Sequence, residues 1–467
     1  MCSSSLGSRW RIKLTYESAF ELLKPQGQEH LLRFWDELNA DERTSLLADI
    51  ETLDLALIHK VFQEQVLNPV IIGEKETVEP LRGTQISMEG RAELGKAGLE
   101  LLRAGKAAAF LVAGGQGTRL GHDGPKGVFD ISLPSHKSLF QLQAERLHRL
   151  GRLCGQPLPW YVMTSNENHG PTKSFFKAND FFGLNEYDVM FFSQAELPLV
   201  DADGKILLAE KSKLSLGPNG NGGCFPALKH SGALEHMRKR GVEWVFTYSV
   251  DNALVKVCDP VFLGFAAASG LPAASKAVAK AYPEERVGVF CLRDGRPSVI
   301  EYSEMTPEMC AAQDAGGLLY GSANIAVHLF AVDFLEANAT ASLPYHAAHK
   351  KIPHVNAAGE LVTPEAPNAY KFELFMFDLF PRAPGMAVLD VARAEEFAPV
   401  KNKDGQDSPA SARSMIVELH RSWALKAGVE GADMADAVEV SPLTSYAGED
   451  LTARDFTWDS TRPILTA

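Results

Sequence analysis

Apolar residues in the first part of the chain recur at the spacing of amphipathic helices. Three segments have this pattern: residues 29–38, residues 46–57 and residues 88–104. In the first of them Leu31, Trp35 and Leu38 recur every three or four residues, which is the period of one helical face. Residues 67–87 contain two prolines and two glycines, which favour a connecting loop. The pattern predicts a helical N-terminal domain over residues 1–105.

From residue 107 onward, short apolar runs alternate with helical patterns. Four runs are predicted as buried strands: residues 107–113, 159–164, 189–192 and 244–250. Helices are predicted between them, over residues 139–150 and 233–240. Such alternation is typical of a mostly parallel sheet with helices on both faces. We therefore expect a Rossmann-like α/β domain over residues 106–384, with its ligands at the carboxyl ends of the strands.

The remaining residues, 385–467, have a less regular pattern. Residues 401–411 are polar and rich in turn-forming residues. We predict a small C-terminal domain here.

Charge and cysteine usage narrow the classes of protein. The 46 basic and 59 acidic residues give a net charge of −13, which argues against broad nucleic-acid binding. A small anionic ligand would need a local basic site, with or without a divalent cation. The six cysteines form no CxxC pair, which fits a reducing compartment. Residues 1–14 have no apolar core, and the apolar residues 261–274 are too short to span a bilayer, so we expect a cytoplasmic protein without a membrane segment.

The strongest local signal is a glycine-rich segment directly after the first predicted strand. Residues 111–121 read LVAGGQGTRLG and residues 125–127 read PKG. Glycines let the backbone approach a ligand closely, and exposed N–H groups can then bind phosphate oxygens. Arg119 and Lys126 add positive charge at the same place. The spacing matches neither a Walker A loop nor a dinucleotide-binding loop. A glycine-rich surface turn is the alternative.

This segment resembles the signature of the eukaryotic UDP-N-acetylhexosamine pyrophosphorylases, which are nucleotidyltransferases. Every fixed position of that signature is matched between Leu111 and Lys126. The resemblance implies a sheet of the nucleotide-diphospho-sugar transferase type. It also implies a catalytic role for Arg119 and Lys126. The segment's residues expected to contact the nucleotide are Val112, Ala113, Gly114, Gly115 and Lys126.

The likeness extends from about residue 107 to residue 449 and implies further nucleotide contacts. Gln194 corresponds to the glutamine that reads the uracil edge, and Gly220 to a nucleotide-binding glycine. The chain departs from the family at Asn219, where an aspartate is usual, and at residues 224–226. Lys371 matches a phosphate-contacting lysine, although a single lysine is usually a solvated surface residue.

Asp251 follows an apolar strand, where a carboxylate is costly to bury without a partner. A divalent cation that bridges phosphates is a natural partner, because Mg²⁺ combines few carboxylates with substrate oxygens. The resemblance assigns Asp251 to the nucleotide and to the metal, Mg²⁺, with Mn²⁺ as the alternative. A helix-capping or loop aspartate is the other interpretation.

The sugar side of the site is implied by the resemblance alone. Its expected residues are Asn221, Gly288, Glu301, Tyr302, Asn324 and Lys401. Ala323 stands where the family usually has glycine. Lys401 is also expected to be catalytic. A solvated surface position is the alternative for each charged member of this set.

The predicted reaction joins UTP to N-acetyl-α-D-glucosamine 1-phosphate, by in-line attack on the α-phosphate, and releases diphosphate. The N-acetylgalactosamine substrate and the oligomeric state stay open. A UDP-glucose-type pyrophosphorylase is one alternative, and a nucleotide-sugar-binding paralogue with weakened catalysis is another. A dinucleotide-dependent oxidoreductase is disfavoured, because the glycine spacing is wrong for it.

Overall fold

The computed structural model describes residues 14–68 and 76–467, and it divides into two compact units. The first unit comprises Met1–Gly73, Glu196–Gly220 and Pro344–Leu374, and the second comprises Glu74–Ala195, Asn221–Leu343 and Phe375–Ala467. The predicted boundaries near residues 105 and 385 do not coincide with the limits of these units. The three-domain division stays a prediction. Residues 1–13, and residues 69–75 of the predicted loop, lie outside the described residues.

The described residues contain α-helices and strands along the whole chain. The helices are α1 Tyr16–Leu23, α2 Ala40–Glu51, α3 Leu55–Phe62, α4 Met88–Arg103, α5 Leu139–Cys154, α6 Asn166–Ala178, α7 Cys224–His230, α8 Ala233–Lys239, α9 Pro260–Ser269, α10 Pro307–Ala311, α11 Val332–Asn338, α12 Arg393–Glu396 and α13 Pro409–Lys426. The strands are β1 Val78–Pro80, β2 Ala107–Val112, β3 Trp160–Thr164, β4 Val189–Ser193, β5 Glu196–Pro198, β6 Leu208–Glu210, β7 Lys213–Leu214, β8 Leu216–Pro218, β9 Trp244–Ser249, β10 Ala273–Ala279, β11 Val289–Arg293, β12 Arg296–Ile300, β13 Gln313–Asp314, β14 Gly317–Leu318, β15 Ser322–Ala331, β16 Tyr345–Lys350, β17 His354–Val355, β18 Leu361–Val362, β19 Ala369–Leu374, β20 Ala387–Asp390, β21 Ala437–Glu439, β22 Thr457–Trp458 and β23 Ile464–Thr466.

The first unit combines helices α1–α3 with short two-stranded ribbons. The helix predicted over residues 29–38 was wrong, because two separate 3₁₀ turns, Glu29–Leu32 and Trp35–Glu37, occupy it. Neither turn has a side-chain N-cap, so the first helical N–H groups lack the partner that an α-helix usually has. The pattern of residues 46–57 is divided between α2 and α3. Asp54 makes this division, since its carboxylate accepts the N–H of Leu57 and starts α3.

The second unit is built on a mixed ten-stranded sheet. Its path is β1-β11-β15-β9-β2-β3-β4, with β12 beside β11 and β10 between β15 and β20. Strands β9, β2, β3 and β4 are mutually parallel, whereas β15 runs antiparallel to β9. The predicted α/β class is confirmed. Two strands, β1 and β20, come from the segments that the pattern assigned to a loop and to a C-terminal domain.

Each unit buries its own apolar core. In the first unit Leu23, Ile50, Phe62 and Phe372 belong to one buried cluster. In the second unit the main cluster lies on the sheet and includes Phe246 of β9. Strands β2 and β3 are buried along almost their whole length, as expected for parallel strands in the middle of a covered sheet. No helix in the described part of the chain is both long and apolar enough to cross a membrane.

A buried histidine makes the stability of the second unit depend on pH. His328 of β15 is 2% exposed, and its Nδ1 lies 2.7 Å from the hydroxyl of Ser275. Burial lowers the pKa of His328 from 6.5 to about 3. Between these two values the unfolded chain binds more protons than the folded chain, so acidification favours unfolding. Its contribution is at most about 1.4 kcal/mol for each pH unit below 6.5.

We expect the melting temperature to fall as the pH is lowered from 7 to 5, and to fall less in a His328→Phe variant. The phenylalanine would lie among the rings of Phe330 and Phe380 and could not take up a proton. The buried His420, whose pKa is also lowered to about 3, would keep part of the dependence. Thermal scans at several pH values test this, with exposed His230→Phe as the control. An equal dependence in the variant and the parent would contradict the prediction.

Candidate nucleotide-binding site

The candidate site lies at one edge of the sheet in the second unit. Strands β9, β2, β3 and β4 are adjacent and parallel, so their carboxyl ends lie side by side. The residues that follow these ends come from four distant parts of the sequence. Gly114 follows β2, Ser165 follows β3, Gln194 follows β4 and Asp251 follows β9. This edge is where sheets of this type bind their ligands.

The glycine-rich segment forms a closed turn. Gly117 N–H donates to Gly124 O at 2.9 Å, and Lys126 N–H donates to Gly115 O at 3.1 Å. The turn is attached to β3 because Ala113 N–H donates to Met163 O at 2.8 Å, and Val112 O accepts the N–H of Val250. The start of the segment is therefore held from two sides, by β3 and by the residue that follows β9.

Three consecutive N–H groups in this turn have no acceptor among the described residues. They belong to Gly114, Gly115 and Gln116. Backbone N–H groups are normally hydrogen-bonded in folded proteins, either to protein or to water. A row of them at the start of a turn is a ready site for an anion.

Gln194 lies directly against the turn. Its side chain is buried, and its main-chain N–H donates to Thr164 O at 2.8 Å. An ideal Cβ on Gly114 would lie only 2.7 Å from Gln194 Nε2, so Gln194 could keep its present position only with a residue at 114 that has no side chain. A Cβ on Gly115 would meet nothing within 4 Å. The structure therefore brings the predicted uracil-reading glutamine to the glycine turn.

Lys126 and Asp251 form the charged centre of the edge. The Nζ of Lys126 lies 3.6 Å from Oδ2 of Asp251, and their side chains are 14% and 23% exposed. The distance is longer than a good hydrogen bond, so Lys126 can still donate to a ligand and Asp251 can still bind a further partner. Arg119 is exposed on the 3₁₀ turn Thr118–Leu120 and makes no ion pair with any described residue. Lys126 and three N–H groups that have no acceptor among the described residues thus accompany one carboxylate, and Arg119 is exposed on the same glycine-rich segment.

The side chains at this edge could hold a metal ion only through a single carboxylate, that of Asp251. Among the described residues there is no group of three or more histidine, cysteine, aspartate or glutamate side chains that could hold a metal ion. Asp251 is a single, partly exposed carboxylate. Such a site suits Mg²⁺, which commonly takes one or two carboxylates and completes its shell with phosphate oxygens and water.

Asp251 also anchors the segment that carries Lys401. Val400 N–H donates to Asp251 O at 2.9 Å. The neighbouring Asn252 is buried, and its amide donates to Glu396 O and accepts the N–H of Ala398. The ammonium group of Lys401 lies 3.7 Å from Asp407, and 44% of the Lys401 side chain is exposed.

Three of the predicted sugar-facing residues come together: Gly288 directly before β11, Glu301 directly after β12 and Asn324 on β15. Asn324 N–H donates to Gly288 O at 2.9 Å. An ideal Cβ on Gly288 would lie 2.9 Å from Glu301 Oε1, so the carboxylate of Glu301 packs on this glycine. Asn324 Oδ1 accepts the N–H of Ala326, which has a φ of +54° in an irregular part of β15. Asn324 therefore has a structural task in addition to its predicted role.

Tyr302 and Asn221 are two further predicted sugar-facing residues. Tyr302 is 47% exposed beside Glu301. Asn221 begins the turn before α7, and its Oδ1 accepts the N–H of Met376 at 2.8 Å, which leaves its amide N–H₂ as a donor.

Gly220 and Lys371 belong to the first unit. Gly220 has a φ of +86°, and a Cβ there would lie 2.4 Å from Leu374 O. The Nζ of Lys371 pairs with Glu373 at 2.8 Å. Both residues lie on or beside strand β19, but the ion pair of Lys371 was not expected from the sequence.

Comparisons with known proteins identify the family. The model of the UTP–glucose-1-phosphate uridylyltransferase family matches residues 54–445. UDP-N-acetylglucosamine diphosphorylase 2 of Arabidopsis thaliana is 42% identical to this chain. The aligned region covers 94% of this chain and 91% of that protein. UDP-N-acetylhexosamine pyrophosphorylase-like protein 1 of Homo sapiens is 41% identical, with 92% of each chain covered. The chain is a member of the UDP-N-acetylhexosamine pyrophosphorylase family.

A solved structure of a pyrophosphorylase has the same fold. The uridine diphosphate N-acetylglucosamine pyrophosphorylase from Trypanosoma brucei, solved in complex with an inhibitor, superposes with a TM-score of 0.83. The two sequences are 30% identical, and the superposition covers 99% of each chain. Family membership confirms the resemblance that the glycine-rich segment indicated. The roles of the individual site residues stay predictions.

The sequence analysis did not find two polar residues that lie at the sheet edge of this chain. Ser165 caps α6, and its N–H lies 3.3 Å from an ideal Cβ on Gly114. Asn168, one helical turn further, is buried beside the glycine turn. A capping serine directly after a strand is a signal that could have found them, because it places the first turn of a helix at the ligand edge. On the same helix, the Nδ1 of His169 lies 2.9 Å from the hydroxyl of Thr164. Burial lowers the pKa of His169, and the positive charge of Lys173 lowers it further.

A pair of alanine substitutions in the glycine turn tests this geometry. We expect Gly114→Ala to lower the melting temperature, because the new methyl group would collide with Gln194 and force it or the turn to move. Gly115→Ala should leave the melting temperature within about 1 °C of the parent, because its methyl group meets open space. Thermal scans of both ligand-free variants would check this. Equal losses in the two variants would contradict it.

Proposed function

We propose that this chain is a uridylyltransferase that joins UTP to N-acetyl-α-D-glucosamine 1-phosphate and releases diphosphate. One observation carries the proposal: three N–H groups without an acceptor among the described residues, and the Lys126–Asp251 pair, meet at the carboxyl ends of adjacent parallel strands. This arrangement suits a nucleoside triphosphate. The choice of an N-acetylhexosamine substrate is supported by the names of the relatives described above.

The reaction needs no general base. The attacking group is a phosphate monoester, whose second proton is lost near pH 6, so it is already dianionic at neutral pH. One of its oxygens attacks the α-phosphorus of UTP, and the bond to the bridging oxygen of diphosphate breaks. The electron pair leaves with diphosphate. The difficulty is the meeting of two polyanions, so catalysis must come from positioning and charge neutralisation.

Each site residue has a task in this scheme. Lys126 and Arg119 neutralise the triphosphate and the departing diphosphate, and the N–H groups after β2 bind phosphate oxygens. Gln194 reads the uracil edge. The residues assigned to the sugar and its phosphate are Asn221, Gly288, Glu301, Tyr302, Asn324 and Lys401. Gly220 and Lys371 keep the nucleotide and phosphate contacts that the family resemblance implies.

Asp251 is the residue that would hold a metal. Mg²⁺, or Mn²⁺ in its place, would supply positive charge to the phosphate oxygens when bound. The partial exposure of Asp251, and its separation of 3.6 Å from Lys126, support this assignment. Lys126 itself neutralises charge at the same edge, so the protein contributes to the task with its own residues.

The cellular setting is part of the proposal. We place the reaction in the cytoplasm, since the described cysteines form no disulfide, which fits a reducing compartment. The partners are UTP and the amino-sugar 1-phosphate, without nucleic acid and without a membrane. N-acetylgalactosamine 1-phosphate is a possible second substrate.

We expect Lys126→Ala to reduce turnover by roughly 10²–10³, as is typical when one stabiliser of developing charge is removed. The protein should stay folded, because the hydrogen bond from residue 126 to Gly115 uses the main chain. Steady-state diphosphate release, with circular dichroism for the fold, measures both effects. Lys96→Ala, on the exposed part of α4, changes the net charge equally and should be neutral. Unchanged turnover in the Lys126 variant would remove Lys126 from the mechanism.

A panel of sugar 1-phosphates tests the substrate class. With UTP, we expect the N-acetylglucosamine substrate to give the highest kcat/KM, and glucose 1-phosphate to give a value lower by at least tenfold. Diphosphate release, followed in a coupled assay, measures each rate. A preference for glucose 1-phosphate would favour the UDP-glucose-type enzyme. Calorimetric binding of UTP without turnover of any sugar phosphate would favour the binding paralogue.

A further inference from the structure

Asn168 contacts the glycine turn without being part of any predicted site. It lies in the first turn of α6, directly after strand β3 and the capping residue Ser165, and it is 1% exposed. Its Nδ2 donates to Gly114 O at 3.0 Å and to Gly115 O at 3.1 Å. One buried amide therefore holds two consecutive carbonyl groups of the turn.

These two hydrogen bonds orient the peptide groups on either side of Gly115. In a planar trans peptide, the carbonyl group and the N–H group point in opposite directions. Since the carbonyls of Gly114 and Gly115 point toward Asn168, the N–H groups of Gly115 and Gln116 point away from it. These are two of the three N–H groups that have no acceptor among the described residues. Asn168 thus holds the donors that remain available for a ligand.

The rest of the Asn168 side chain is not optimised for stability. Its Oδ1 is buried and has no hydrogen-bond partner among the described residues. A buried polar atom without a partner costs stability. Among the described residues, only the donor half of this amide makes hydrogen bonds. The carbonyl of Gly115 already accepts the N–H of Lys126. The side chain is therefore better explained by the geometry that it imposes on the turn than by the stability that it adds.

We propose that Asn168 is a positioning residue for the phosphates of UTP. It acts through the main chain, because it holds two carbonyls so that the N–H groups of Gly115 and Gln116 face the nucleotide. This inference rests on the proposed function. It adds a residue to the nucleotide site that does not touch the substrate.

Two substitutions separate the effect of the Asn168 hydrogen-bond donor from the effects of side-chain shape and charge. Asn168→Ala removes the donor without adding charge. Asn168→Asp keeps the shape, but its ionised form cannot donate and repels the two carbonyls. The protonated form of the aspartate can donate to one carbonyl again. Asn179→Asp is the matched control, because Asn179 lies at the other end of α6 and donates to a single carbonyl, that of Phe175.

The experiment measures the Kd for UTP by calorimetry between pH 8 and pH 5, and compares each variant with the parent protein at the same pH. We expect Asn168→Ala to weaken binding about tenfold at every pH, with a change in melting temperature no larger than that of the control. Asn168→Asp should bind more weakly still at pH 8. Burial at this 1% exposed position, beside two carbonyl oxygens, should raise the pKa of the introduced carboxyl group so that it takes up a proton by pH 5. At pH 5 the variant should therefore bind UTP more tightly than Asn168→Ala, because the donor is restored. The KM for the sugar phosphate should stay unchanged.

The outcomes distinguish this inference from the proposed function. If the parent does not bind UTP, both are overturned. If the parent binds UTP and Asn168→Ala binds equally well, only the positioning role is overturned. If only charge mattered, the affinity of Asn168→Asp for UTP at pH 5 would rise to that of Asn168→Ala but not above it. This result would also overturn the positioning role. A loss of binding that merely follows a loss of melting temperature would leave Asn168 a purely structural residue.

Discussion

The candidate site depends on the parallel pairing of β9, β2, β3 and β4, because that pairing places four strand ends in one row. Within a parallel sheet every N–H and carbonyl group has a neighbouring strand to bond, but at the carboxyl end the ladder stops. The main chain that continues from β2 then has N–H groups without acceptors in the part of the chain that the structure describes. Gly114 and Gly115 are the residues at which this occurs, and they leave their N–H groups accessible.

The charge at this edge follows from the same geometry. Lys126 returns to the edge because its main chain bonds to Gly115, and Asp251 arrives from β9, the strand next to β2. Their side chains meet although 125 positions separate them in the chain. A carboxylate beside a lysine and a row of N–H groups can bind a polyanion and a divalent cation together. The net charge of −13 is no obstacle, because the local field at this edge is set by a few nearby groups.

The buried part of the sheet could be predicted well from local patterns, while the first unit could not. The four parallel strands were predicted to within one or two residues, since continuous apolar runs between helices have few other interpretations. Strand β1 was missed because three residues with one proline have no period of their own, and only their pairing with β11 makes them a strand. The residues around Leu31 have a helical spacing, but without an N-cap they form two 3₁₀ turns.

What the sequence determined by itself was the α/β class, the glycine turn after β2 and the family to which the motif pointed. These three features follow from the spacing of residues that are close together in a single sequence. The tertiary structure alone decided that Gln194 packs on Gly114, that Lys126 meets Asp251 and that Asn168 holds two carbonyls of the turn. Each of these contacts joins residues that lie on different strand ends or helices. Their distances depend on sheet register and helix placement, and no local pattern of residues encodes those.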